Sequence, residues 1–261
     1  MKSFAKVYKK GLKFLCFFLL IGFLFGCGAS TNFKNTDVGI HKQLAELLIK
    51  QNQYTQALKE LKLALKTNSN DPELYNLLGL AYMGKYEYDK AEKAFKKAIA
   101  LKPTFSEAYT NLGALRMLEH RYEEAIKCFQ KALSNPCYLN SYLALTNMGW
   151  AYYKLGQEKK ALDTLLKAYQ ENPRYPKVLV YLGLIHLNKG ELDAAKFYFK
   201  QAIKIDENFC EARYYLGEVF FREGNKQLAE ELWRSVIYLA PNSEWANKAT
   251  SRLYLLKNTS S

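Results

Sequence analysis

The chain offers few residues arranged for chemistry. Gly79-Leu-Ala-Tyr-Met-Gly84-Lys85 has the spacing of a phosphate-binding loop, in which backbone N–H groups cradle phosphates and the lysine reaches them. Tyr86 stands where a hydroxyl would hold Mg²⁺, and no strand-like run leads into Gly79, so no nucleotide is expected. His41, His120 and His186 lie far apart without a second ligand at helical spacing, so no metal is expected. No Gly-x-Ser-x-Gly or Cys/His nucleophile pattern occurs, and the carboxylates are spread along the chain. The reading is of a protein without catalytic residues or cofactor, not an enzyme, with no small-molecule substrate. Cys128 and Cys137, nine residues apart, form a disulfide if their Cα atoms come within about 7 Å. The alternative is that both stay reduced, like Cys210.

Composition narrows the class further. Of 261 residues, 49% are hydrophobic and 24% charged, which excludes a wholly disordered chain and a multispanning membrane protein. The net charge is +13, but Lys2, Lys6, Lys9, Lys10 and Lys13 fall in the first 26 residues, where there is no acid, leaving +8 for the rest. The basic excess is therefore weak support for nucleic-acid binding, and none is expected.

The N-terminus reads as an address. A basic stretch, residues 1–13, precedes a 12-residue apolar run from Phe14 to Phe25. A membrane-spanning helix needs about 20 apolar residues, whereas 12 suits the core of a secretory signal. The run ends Leu24-Phe25-Gly26-Cys27, which resembles the bacterial lipobox, with Leu three before the cysteine and Gly one before it. The resemblance implies a signal peptide over residues 1–26, lipidation of Cys27, and anchoring through acyl chains. An uncleaved signal anchor with an incidental cysteine is the alternative. Gly28, not Asp, follows the cysteine. By the same resemblance this implies the cell outer membrane, facing the periplasm. Residues 27–37, mostly small and polar, read as the lipidated cysteine and a flexible tether.

The elements that must carry any site form a repeat. Gly79, Gly113, Gly149, Gly183 and Gly217 recur at spacings of 34, 36, 34 and 34. Twelve residues after each stands an alanine (Ala91, Ala125, Ala161, Ala195, Ala229), and four later a bulky apolar residue (Phe95, Phe129, Leu165, Phe199, Trp233). One register earlier, Ala45, Ala57 and Leu61 hold the same places, while Pro103, Pro136, Pro173 and Pro241 close several units. This resembles the tetratricopeptide repeat, two helices in 34 residues. Gly and Ala would bring the two helices of a unit together, the large residues would fill the space between units, and proline would end the second helix.

The implied fold is all-α: a tetratricopeptide-repeat solenoid, a right-handed superhelix of about six helix-turn-helix units plus a C-terminal capping helix. The units fall at about 38–71, 72–105, 106–141, 142–175, 176–209 and 210–243. The cap is 244–257, completing a domain over 38–257, and 258–261 is a tail. Such arrays mostly hold partners.

Family geometry puts certain first-helix positions on the concave face. By that resemblance the partner-binding groove comprises Asn76, Leu80 and Met83; Thr110, Ala114 and Met117; Leu143, Thr146, Trp150 and Tyr153; Val180, Leu184 and Leu187; and Tyr214, Glu218 and Phe221. The set is mostly apolar and suits a hydrophobic strand or an amphipathic helix of another protein. Packing against the next unit is the other reading of each residue.

One junction departs from the period. Ala132-Leu133-Ser134-Asn135-Pro136-Cys137-Tyr138-Leu139-Asn140 is two residues longer than its counterparts. With the lipobox, six units and a length near 260, it resembles the type IV pilus biogenesis lipoproteins, the pilotins of the PilF, PilW and Tgl type. Leu139 stands where that family has a second proline. The resemblance implies binding of secretin subunits, with promotion of their outer-membrane localisation and multimerisation, by a protein otherwise monomeric. A general envelope scaffold holding peptidoglycan enzymes or another envelope complex is the alternative.

Overall fold

The computed structural model describes the backbone of residues 29–258 and the side chains of residues 37–258. The signal segment 1–26, Cys27 and the last three residues of the tail lie outside the described residues.

Among the described residues there are thirteen α-helices and no strand. They are α1 (Ala29–Lys50), α2 (Tyr54–Thr67), α3 (Pro72–Gly84), α4 (Tyr88–Leu101), α5 (Ser106–Leu118), α6 (Tyr122–Leu133), α7 (Ser141–Lys154), α8 (Glu158–Glu171), α9 (Pro176–Lys189), α10 (Leu192–Ile205), α11 (Cys210–Arg222), α12 (Lys226–Leu239) and α13 (Glu244–Asn258). Helices α1–α4 form one compact unit ending at Leu101, and α5–α13 form a second beginning at Lys102. Each is built of helix pairs, two pairs in the first and four pairs plus α13 in the second.

The sequence shows why each pair closes. In the fifth pair, a methyl group added to Gly183 of α9 would sit 2.6 Å from the Phe199 ring of α10. The same glycine-to-large-residue seat recurs at Gly113 and Phe129, Gly149 and Leu165, and Gly217 and Trp233. Where Ala45 replaces glycine, the opposing residue is Leu61, smaller than Phe, and both are fully buried. The large residue thus lies on its own pair's glycine. The reason is steric: only a residue without a side chain admits a ring at that crossing. Phe199 also reaches the next pair, 5.7 Å from the Tyr215 ring of α11, so the expectation that the large residue fills the gap between units gives only part of its packing.

The turn inside each pair uses a second device. Asn52, Tyr86, His120, Gly156, Gly190 and Gly224 all take positive φ, between 58° and 84°. The following N–H then returns to a carbonyl five residues back, as Glu191 N to His186 O at 3.0 Å. This satisfies the last carbonyls of the first helix. The second helices end two or three residues before Pro103, Pro136, Pro173 and Pro241. Pro72 and Pro176 instead open α3 and α9, where a missing N–H costs nothing. The Asp71 carboxylate caps α3 by accepting from Glu73 N at 2.8 Å.

Two expectations change at the edges. Residues 29–37, read as part of a tether, are helical as the first turns of α1. Nothing there breaks a helix, because the segment holds no proline and Ser, Thr and Asn cost only tenths of a kcal/mol each. The cap runs one residue further than 257, to Asn258. No described helix is long and apolar enough to cross a membrane.

Candidate partner-binding face

The long junction acts first on the expected groove. Between α6 and α7 it turns Tyr138 inward, buried, with its hydroxyl 3.1 Å from Thr110 Oγ1 of α5. Asn135 Nδ2 donates to Thr104 O and Ser106 Oγ at 3.3 and 3.2 Å, pinning the loop to the start of α5. Leu139 is left 91% exposed. Thr110 is therefore covered by the chain's own junction, and is no part of an open face.

Other expected positions are closed for different reasons. Thr146 is fully buried and donates to Tyr142 O at 2.7 Å, and Asn76 is buried as well. Val180, Leu184 and Leu187 are packed into the core of the second compact unit. Tyr214 and Glu218 lie under the cap: Arg252 of α13 donates to Glu218 at 2.6 Å, and the Tyr214 and Trp245 rings are 5.6 Å apart. Glu218 Oε1 has no hydrogen-bond partner. The cap and the neighbouring first helices claim the apolar positions that a partner was expected to use.

Leu80 and Met83 of the first compact unit remain partly exposed, as do Ala114, Met117, Leu143, Trp150, Tyr153 and Phe221 of the second. Trp150 and Tyr153 sit one turn apart on α7, their rings stacked at 5.0 Å. Tyr181 of α9 also stacks on Trp150, at 4.4 Å and 5°. Lys154 stands 4.9 Å from the Trp150 ring centre, and Lys177 4.9 Å from that of Tyr181. Asn188 Nδ2 donates to the Tyr153 hydroxyl at 2.7 Å. Lys177 also pairs with the largely buried Glu211 at 2.6 Å.

Burial pushes the Tyr181 phenol far above its ordinary value, helped by the Glu211 charge, so Tyr181 stays neutral. The result is a stacked aromatic block with two ammonium groups at its rim. It can receive an apolar segment while its polar atoms bond the segment's backbone. Tyr181, Asn188, Lys154 and Lys177 were not among the residues expected to form the groove. The 34-residue spacing of Tyr181 and Tyr215 is the signal that could have found Tyr181. Tyr215 continues the aromatic seam, 5.7 Å from Trp245 of α13.

The residues that resembled reactive groups have structural roles. Gly79 lies within α3, under Phe95, so its backbone is not an open phosphate loop, and Lys85 pairs with Glu87 at 3.2 Å. His41 bonds Glu60 at 2.6 Å, His120 the Tyr122 hydroxyl at 2.8 Å, and His186 Glu191 at 2.5 Å. No disulfide joins Cys128, Cys137 or Cys210. Cys137 is exposed at the junction, while Cys128 is partly buried on α6.

Comparison with known families agrees with this architecture. A TPR-repeat model matches residues 45–85, and tetratricopeptide-repeat models match 72–105, 106–135, 143–175, 176–209 and 211–243. The chain belongs to the tetratricopeptide-repeat family. Its fold is the all-α repeat solenoid of that family. Among solved structures it is similar to PilW, described as a widely conserved type IV pilus biogenesis factor. The TM-score is 0.69 at 26% identity, over 82% of this chain and 98% of that one. PilF of Pseudomonas aeruginosa superposes with a TM-score of 0.66 over 84% and 99% of the two chains. At 16% identity that match shows the fold alone. Among curated proteins, the photosystem I assembly protein Ycf3 of Rippkaea orientalis is 29% identical over 105 residues, 34% of this chain and 61% of that one. The tetratricopeptide-repeat chain thus spans about three fifths of that relative's length.

Proposed function

We propose that this tetratricopeptide-repeat protein is a lipid-anchored assembly factor of type IV pilus biogenesis. In this reading Cys27 carries the acyl chains, and the protein faces the periplasm from the outer membrane. The array binds secretin subunits and promotes their localisation and multimerisation. The observation that carries the reading is the near full-length similarity to PilW, which covers 98% of that protein. The junction built around Tyr138 adds to it, because the same departure from the repeat period drew the sequence towards the pilotins.

The aromatic block of Trp150, Tyr153 and Tyr181 is the proposed contact for the secretin segment. Its rings already stack on one another and the Tyr153 hydroxyl already accepts from Asn188, so little side-chain freedom is lost on association. The partial match to Ycf3, an assembly protein, favours a broader second reading: assembly of another envelope complex. Gene deletion in the host, complemented with wild type, Cys27→Ser or Trp150→Glu, separates the two. Secretin multimers resistant to detergent should return only with wild type. Multimers that persist in the deletion strain would refute the pilus reading and turn the search to another partner.

A further inference from the structure

The open end of the first helix pair carries an apolar stripe. Ile40, Leu44 and Leu47 of α1 are 61%, 40% and 50% exposed. At i, i+4 and i+7 they share one face of the helix. The far side of the helix, with Val38 and Ala45, is buried, and α1 packs on α2 and α3.

The repeat register explains why the stripe is apolar. In the fifth unit the same three positions are Val178, Leu182 and Ile185, all fully buried, on a helix that packs against α7 and α8 of the unit before it. Among the described residues, no helix pair precedes α1 to cover the stripe. Terminal units of repeat arrays normally turn a polar face outwards, and α1 does not.

We propose that this stripe is a membrane-docking face, which lies in the headgroup region of the leaflet that holds the acylated Cys27. The proposal rests on the lipid-anchor reading above and adds a second attachment to it. Three observations favour a lipid surface as the occupant. Helix α1 begins at Ala29, two residues after Cys27, so the helix that carries the stripe is described to within two residues of the anchor. At 1.5 Å per residue, Leu47 is about 27 Å from Ala29. Lying flat, α1 brings the stripe to the surface that holds the anchor.

The charge suits anionic headgroups. Lys50 borders the stripe at one end and Asp37 at the other, and Lys59, Lys62 and Lys66 are exposed on α2, so exposed bases outnumber the one exposed acid of these two helices among the described side chains. Size argues against a second copy. Three partly exposed side chains fall well short of the roughly 800 Å² per partner in a stable interface. A weak face is sufficient beside an anchor, because tethering gives it a high effective concentration at the bilayer.

The test uses the acylated full chain with Cys128, Cys137 and Cys210 changed to Ser and an environment-sensitive dye on Leu44→Cys. It is reconstituted into vesicles of phosphatidylethanolamine and phosphatidylglycerol. The expected result is a blue shift and a several-fold loss of iodide quenching on vesicles, both abolished by adding Ile40→Asp and Leu47→Asp. A dye that stays open to iodide while the protein floats with the vesicles would overturn the docking face and leave the anchor standing. A chain that does not float at all would remove the anchor reading and this inference together. A blue shift in buffer that grows with protein concentration would assign the stripe to a second copy and overturn the proposal.

Discussion

Replacing Gly183 with Ala tests the packing argument at its tightest point. The new methyl group would lie 2.6 Å from one Phe199 ring carbon and 2.9 Å from two others. Phe199 is fully buried and stacked on Tyr215 at 5.7 Å, so the ring can shift only by displacing its neighbours. Overpacking of this kind costs about 1–3 kcal/mol. Alanine returns about 1 kcal/mol through its better helix propensity. The net expectation for Gly183→Ala is a loss of about 0–2 kcal/mol. Phe199→Leu alone opens a cavity and costs about 1–2 kcal/mol.

The first unit shows the remedy, since Ala45 and Leu61 occupy the equivalent places. The double variant should therefore be more stable than the sum of the two single effects by about 1–3 kcal/mol. A repeat array need not unfold as one unit, so the readout is hydrogen exchange of the α9 and α10 amides, which reports local opening. Additivity within about 0.5 kcal/mol would show that glycine and ring do not share one space, and would refute the reasoning.

Further outcomes follow from single sites. Tyr86 is 79% exposed and holds a positive φ of 61°, so Tyr86→Gly should stabilise α3 and α4 by about 0.5–1 kcal/mol; exchange of their amides checks this. Burial pushes the Tyr215 phenol up to about 12 from an ordinary 10.0, and raises Tyr181, Tyr175 and Tyr138 as well. A raised folded value means the contribution to stability is full below pH 10 and is lost as pH rises through about 12. Phenolate absorbance against pH should then show a late, cooperative class of tyrosines that coincides with loss of helix. In mature protein denatured without reductant, Cys128, Cys137 and Cys210 should all alkylate, because none is in a disulfide. In the folded state the exposed Cys137 should react first and Cys210 more slowly, because burial raises its thiol.

The fold was legible because the repeat writes the same packing rule several times. Gly183 and Phe199, sixteen residues apart, could be matched with Gly113 and Phe129 without any coordinates. The seat of the ring on its own pair's glycine was not legible, because spacing gives the partners of a residue only when the helix crossing is known. The turn positions Asn52, Tyr86 and His120 escaped notice because three different residue types share one backbone conformation. Only Gly156, Gly190 and Gly224 betray it in sequence. The face was harder to read than the fold. Thr110 is covered by a tyrosine from an irregular junction, and Tyr214 and Glu218 by a capping helix outside the repeat. Neither cover follows from periodicity. Trp150 and Tyr153 were identifiable from one helix, whereas Tyr181 joins them through a neighbouring helix.

The central claim is that the aromatic block on α7 and α9 holds a secretin segment. A photo-reactive phenylalanine analogue in place of Tyr153, in living cells of the host, tests it most directly. The account predicts one adduct whose mass equals this chain plus a secretin subunit, and its loss when Trp150→Glu is added. An adduct with a different envelope protein, or none while the wild-type chain still supports secretin multimers, would contradict it.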